Sequence, residues 1–300
     1  MVNRFLNYVE IRTKITSTFT FFMSVALLMY QKQTIDWKLS LLFFASMFLF
    51  DLTTTAINNY IDSKSNQQVL PFEKKTALNL IYILLGLSIA SGLYLAYLTD
   101  IVVLLAGGLC FLCGIFYTYG PVPISRQPLG EVMSGAFYGI LIPFLLFYIN
   151  TPEGTYLYLD INWDTVSFVL QVVPILSLIV FSVIPFCTTA NVMLANNICD
   201  VEKDIAVKRY TLPYYIGRKA LGLYALLYYL TYAATVLMVA CKILSPVCLL
   251  SLLTIFPVQK NINKFFKKQE KSTTFILAIR NFILIMGTNT VLIFVSVLLS

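Results

Sequence analysis

Long apolar runs, separated by short charged or turn-rich breaks, constrain this chain more than any other feature. A helix needs roughly 20 predominantly apolar residues to cross a bilayer, and runs of about that length recur from near the start of the sequence to its end. Only 12% of the 300 residues are charged, whereas a soluble domain carries about 25%. A polytopic membrane protein is therefore expected, with the lipid bilayer as its solvent.

Reading the runs between breaks gives nine spans, at about 15–31, 38–59, 76–98, 101–119, 131–149, 166–195, 217–240, 243–259 and 275–299. The sixth is too long for a simple crossing. Pro174 and Pro185 are expected to kink it, with its first turns along the interface. Residues 1–14 are mixed and charged, and no small-residue cleavage site follows the first run, so that run is expected to be retained. The expected fold class is all-α, with nine transmembrane helices in a single domain over residues 1–300.

Positive charge alternates with the breaks. Arg4, Arg12 and Lys14 precede the first span, Lys64, Lys74 and Lys75 follow the second, and Arg126 follows the fourth. Lys203, Lys208, Arg209, Arg218 and Lys219 follow the sixth, and five lysines from Lys260 to Lys271 follow the eighth. The breaks between these are poor in cations, apart from the first with Lys32 and Lys38. Positive-inside counting puts the N-terminus in the cytoplasm and the C-terminus outside. The net charge of +7 is thus assigned to cytoplasmic loops, with no nucleic-acid partner. Cys110 and Cys113 form a CxxC inside an apolar run, and the chain has no His. They read as small hydrophobes and not as a zinc or redox pair.

Against this background, one polar pattern occurs twice. Asn58, Asp62 and Asn66 follow the second run, and Asn196, Asp200 and Asp204 follow the sixth, each trio spaced by four. On a helix that spacing stacks three side chains on one face. Both trios fall on the same side of the membrane, and the simplest arrangement is a pseudo-repeat of four helices plus four, with a ninth added. Asp and Asn oxygens are hard ligands suited to Mg²⁺ together with phosphate oxygens. Lys208, Arg209, Arg12 and Lys14 are placed to neutralise a diphosphate. Asp51 lies within the second run, on nearly the face of Asn58 and Asp62. It could contact an acceptor substrate, take a proton, or bond to Thr54 or Thr55. A secondary transporter with Asp51 as its coupling-ion site is the alternative of a different class.

The segments NNYIDSKSN and NNICDVEKDIAVKRYTLPYYIGRKAL, with YTYGPVPISRQPLGE between them, resemble the UbiA superfamily of intramembrane aromatic prenyltransferases. The likeness is strongest to the branch acting on 1,4-dihydroxy-2-naphthoate in menaquinone biosynthesis. That resemblance implies Mg²⁺-dependent transfer of a polyprenyl group from an allylic diphosphate to an aromatic acid, with CO₂ lost and demethylmenaquinone formed. It implies a bacterial cytoplasmic membrane, with the active site opening to the cytoplasm. Another acceptor, such as a 4-hydroxybenzoate-like acid, stays open. It carries catalytic and metal roles onto Asp62, Asp200 and Asp204, and diphosphate support onto Asn58 and Asn196. Asn66 is expected to support the diphosphate too, but stands where the family often has Asp, which weakens the first trio as a metal site. Tyr117 and Tyr119 are expected near the acceptor. Arg126 is expected to pair with its carboxylate, to contact diphosphate, or to act as a topology determinant.

Overall fold

With no water in a bilayer core to pair backbone groups, apolar runs satisfy their N–H and C=O groups within helices. A computed structural model describes residues 1–65, 69–120 and 123–300. In chain order these form α1 (Val2–Tyr8), α2 (Ile15–Tyr30), α3 (Trp37–Ser65), α4 (Lys74–Leu98), α5 (Ile101–Thr118), α6 (Gly130–Ala136) and α7 (Ile142–Tyr148). A hairpin of β1 (Leu157–Ile161) and β2 (Val166–Leu170) follows. The chain ends with α8 (Val172–Ala206), α9 (Leu212–Ile216), α10 (Lys219–Ala240), α11 (Ile255–Lys267) and α12 (Phe275–Leu299).

Among the described residues, six helices are long and apolar enough to cross a membrane: Trp37–Ser63, Lys74–Leu98, Gly130–Tyr148, Val172–Ala206, Lys219–Ala240 and Phe275–Leu299. The other three expected runs coincide with shorter helical pieces, namely α2, α5 and a 3-10 stretch at Pro246–Thr254 that leads into α11. Large apolar side chains such as Ile83, Leu87, Leu105 and Leu112 are exposed on α4 and α5. Such surface belongs against lipid.

Two expectations are corrected. Residues 166–170 are not the first turns of the sixth span but strand β2, antiparallel to β1 with Tyr158 opposite Val169 and Asp160 opposite Ser167. Tyr, Val, Ile and Phe suit a pleated ribbon, and Asn162 N donates to Thr165 O at 2.9 Å to close the turn. The fold is therefore mostly, not wholly, helical. Helix α8 starts later than expected and extends further, for 35 residues through Pro185 to Ala206. The eighth run is likewise divided, between the 3-10 stretch and α11.

The chain packs as two compact units, residues 1–18 with 36–124, and residues 19–35 with 125–300. In the first, Tyr8, Val9, Leu52, Ala56, Ala77 and Ile81 form a buried cluster joining α1, α3 and α4. The Tyr8 hydroxyl donates to the carbonyls of Ala56 at 3.0 Å and Ala77 at 3.3 Å, and burial pushes its phenol well above the usual tyrosine range. Ser46 and Ser88 each donate to the other's carbonyl, at 3.1 and 2.9 Å, tying α3 to α4. Small hydroxylated residues serve well here because they let helix backbones approach.

In the second unit α8 is the centre, packed against α6, α10 and α12. Its contact with α6 and the π-helical turn Phe137–Leu141 depends on Gly135 and Gly139. A Cβ on Gly139 would lie 2.3 Å from the Phe186 backbone N, and one on Gly135 would lie 2.8 Å from the Phe186 ring. Only glycine allows this approach.

Candidate active site

Helicity continues through Asn58 and Asp62, which lie on α3, and through Asn196, Asp200 and Asp204 on α8, so the second trio is a true ladder. Asn66 lies outside the described residues.

The α8 ladder is the more elaborated. The Lys271 ammonium, in the turn before α12, donates to Asn196 Oδ1 and, at 2.5 Å, to Asp200 Oδ2. Lys203 Nζ lies 4.0 Å from the other Asp200 oxygen. Asp204 is buried, with Arg209 Nε 3.9 Å from Oδ1 and the Thr211 hydroxyl 3.5 Å from Oδ2. The helix ends just beyond, as Lys208 takes a left-handed φ of 57° and Arg209 N turns back to Asp204 O at 2.8 Å. That reversal aims Arg209 at the ladder and leaves Lys208 exposed.

The same reversal gathers the loop carrying Arg126. Arg209 Nε donates to Ser125 O at 2.8 Å, and Tyr210 N to Arg126 O at 3.1 Å. The exposed Arg126 thus lies beside the segment that closes the ladder. A buried pair sits one residue along α8, where Asn197 Nδ2 donates to Glu131 Oε1 at 2.9 Å. Glu131 Oε2 and Asn197 Oδ1 have no partner.

In the first unit Asn58 and Asp62 are half-buried, and Asn58 Oδ1 is a buried oxygen without a partner. Asn59 instead holds the N-terminal arm, donating to Tyr8 O at 2.8 Å and Glu10 Oε1 at 3.3 Å. Arg12 is exposed in the 3-10 turn Ile11–Lys14. Tyr117 is half-buried near the end of α5, and Tyr119 just beyond is exposed.

Two expected members of the site are paired with each other. Lys14, expected on the diphosphate, is 3% exposed, and Asp51, expected at the acceptor, is 6% exposed. Lys14 Nζ reaches Asp51 Oδ1 at 2.7 Å, Asp51 O at 3.0 Å and Thr55 Oγ1 at 2.5 Å, which engages all three ammonium donors. Ser17 Oγ donates to Asp51 Oδ2 at 2.7 Å. The Thr54 and Thr55 hydroxyls donate to the Asp51 carbonyl at 3.1 and 3.2 Å. Asp51 is therefore compensated from within, an arrangement unlike the open coupling-ion site that a transporter needs.

Lys271 and the Glu131–Asn197 pair are polar groups that spacing did not single out. Lys271 reads in sequence as one loop lysine among five, and its partner Asp200 is 71 residues away. Glu131 carried a weak signal, as a carboxylate opening an apolar run. All six cysteines are free thiols.

Among the described residues, no three His, Cys, Asp or Glu side chains gather into a metal cage. Mg²⁺ does not require one, since one or two carboxylates with water and substrate phosphates usually complete its shell. Asn196 Oδ1 and Asp200 Oδ2 already converge on one cation, the Lys271 ammonium. That donor set fits a hard divalent ion.

Comparison with known proteins agrees with this chemistry. The UbiA prenyltransferase family matches residues 18–285. The 1,4-dihydroxy-2-naphthoate octaprenyltransferase of Bacillus subtilis is 27% identical over 198 residues, which are 61% of this chain and 57% of that relative's length. A UbiA homologue of Aeropyrum pernix, solved in its apo form, superposes with a TM-score of 0.64 at 16% identity, covering 95% of this chain and 98% of its own. A homologue of Archaeoglobus fulgidus, solved with GPP and Mg²⁺, gives 0.63 at 17% identity, covering 98% and 99%. The fold is that of these structures.

Proposed function

We propose, from the premise that this chain belongs to the UbiA prenyltransferase family, that it prenylates 1,4-dihydroxy-2-naphthoate. The donor is an allylic polyprenyl diphosphate, and demethylmenaquinone is the product. The observation that carries this reading is the α8 ladder, where aligned hard oxygens already hold a cation and further cations stand beside them. The naphthoate acceptor draws support from the Bacillus subtilis relative. The multi-pass protein is proposed to cross a bacterial cytoplasmic membrane nine times as one domain over residues 1–300. Its N-terminus and active site face the cytoplasm.

In this mechanism Asp62, Asp200 and Asp204 are the metal ligands, and Asn58 and Asn196 support the diphosphate. Bound there, Mg²⁺ supplies withdrawal of charge from the leaving diphosphate. Arg209, Lys208 and Arg12 add positive charge for the same leaving group. The allylic C–O bond breaks with its electron pair departing on the diphosphate. Tyr117 and Tyr119 offer aromatic faces to the allylic cation. The ring carbon bearing the carboxylate then forms the new C–C bond. CO₂ leaves, and the electrons of the broken C–C bond restore the aromatic ring. Arg126 holds the acceptor carboxylate with its planar pair of donors.

Purified full-length protein with Mg²⁺, an allylic diphosphate and a panel of aromatic acids tests this directly. Turnover with the naphthoate and release of CO₂ are expected. Turnover with 4-hydroxybenzoate alone would replace the acceptor while leaving the prenyl transfer standing, and no turnover with any acid would overturn the function.

A further inference from the structure

The contact between Lys271 and the α8 ladder goes beyond a loop anchor. Its ammonium sits where Asn196 Oδ1 and Asp200 Oδ2, two hard oxygens of the ladder, converge. The turn that presents it is itself well held. Glu270 O accepts from the backbone N of Thr274 at 2.9 Å and of Phe275 at 3.2 Å, and from the Thr274 hydroxyl at 3.0 Å. Glu270 N donates in return to Thr274 Oγ1 at 2.8 Å. The Glu270 carboxylate has partners of its own, the Thr273 hydroxyl at 2.6 Å and the Lys268 ammonium at 3.0 Å. Phe275 places its ring 5.1 Å from the Lys271 nitrogen, a second resting contact for the cation. The Lys271 side chain is nonetheless 40% exposed, on a flexible four-carbon stem. It is held at its base, and the rotatable stem lets its tip reach more than one partner.

We propose that Lys271 is a tethered cation that occupies the metal position of the α8 ladder in the unloaded protein and moves onto the diphosphate when metal and substrate arrive. This rests on the prenyltransferase reading above. A divalent ion drawn to Asn196 Oδ1 and Asp200 Oδ2 competes with the ammonium for the same oxygens, and metal binding displaces it. Diphosphate oxygens bound beside Asp200 offer the displaced group new acceptors. Before loading, the contact keeps Asn196 and Asp200 side chains in a converged arrangement and spares the half-buried carboxylate an unpaired charge.

Mn²⁺ binding to the detergent-purified full-length chain, followed by electron paramagnetic resonance without any diphosphate, tests the first half. Lys271→Met should bind Mn²⁺ about two- to fivefold more tightly than wild type, the range an exposed ion pair is worth. Lys271→Arg, which keeps the charge, should not gain. Inorganic pyrophosphate titrated with saturating Mn²⁺ tests the second half, and Lys271→Met should bind it several-fold more weakly. Lys271→Gln carries the same expectations should the methionine variant fail to accumulate. Unchanged or weakened Mn²⁺ binding in both neutral variants, or undiminished pyrophosphate binding, overturns the proposal. Asp200→Asn separates this from failure of the parent reading. If that variant binds Mn²⁺ as well as wild type, the α8 ladder is not the metal site, and both readings fall.

Discussion

On α3 the ladder amide Asn58 keeps a buried oxygen without a partner, whereas on α8 Asn196 and Asp200 both accept from Lys271 and Asp204 lies near Arg209. The two trios share a spacing, and the partners of their amides differ. The α8 ladder has two carboxylates and is answered by cations from its own helix, from the reversal after it and from a turn 71 residues away. The α3 ladder has one carboxylate, and its neighbouring Asn59 is given over to holding the N-terminal arm. Spacing on a helix sets where oxygens line up. The loops decide which charge they meet.

If both ladders serve one chemistry, removing a carboxylate from either should have the largest effect of any substitution. Asp200→Ala, Asp204→Ala and Asp62→Ala are each expected to lower turnover by at least about 100-fold, the upper range for lost metal-site support, with membrane insertion unchanged. A normal rate in Asp62→Ala would leave the α8 ladder as the metal site by itself. A normal rate in Asp204→Ala would remove the basis for the whole assignment.

Asp51 and Asp62 share α3 and should fail in opposite ways. Lys14→Met strands a buried carboxylate, which costs about 3–5 kcal/mol and should appear as a large drop in thermal stability in detergent. Restoring much of that loss with Lys14→Met/Asp51→Leu would confirm a structural pair. A Lys14→Met protein of normal stability but raised KM for the diphosphate would return Lys14 to the site.

These contrasts also show what could be read from the chain. The helices were legible because apolar length is a local property, and so were the ladders, because residues four apart share a face whatever surrounds them. The hairpin was not, since TVSFVLQVV is apolar whether read as strand or as span, and the pairing of Val166 with Ile161 depends on a turn. Nor was the Lys14–Asp51 pair: 37 residues separate the partners, and each reads alone as an entrance cation or a costly intramembrane acid. Lys271 was hidden among loop lysines for the same reason. Long-range pairing is where sequence pattern stops informing.

Arg126 offers a finer measure, since its loop is tied by backbone to the segment that closes the α8 ladder. Arg126→Ala should raise KM for the aromatic acid about tenfold or more, in line with a lost charge-assisted pair, and leave KM for the prenyl diphosphate nearly unchanged. The reverse pattern would assign Arg126 to the diphosphate. The smallest effect is expected at Asn66, where Asn66→Asp should be tolerated and should lower the Mg²⁺ concentration for half-maximal rate. A large loss there would show that the α3 ladder needs an amide at that position.

The seating of Phe186 against Gly139 has a consequence for how the protein can change. A methyl group at position 139 would fall 2.3 Å from the Phe186 nitrogen, inside any tolerable separation from main chain. Because that nitrogen belongs to the helix that carries Asn196, Asp200 and Asp204, the glycine acts as a key in a keyway, fixing the azimuth of α8 ten residues before the ladder begins. Relief by rotating the helix would turn the ladder with it, about 100° for each residue of slippage. Position 139 is thus closed to sequence drift, although nothing about it is chemical. In a library selected for activity it should emerge depleted of every residue but glycine, as sharply as the aspartates themselves.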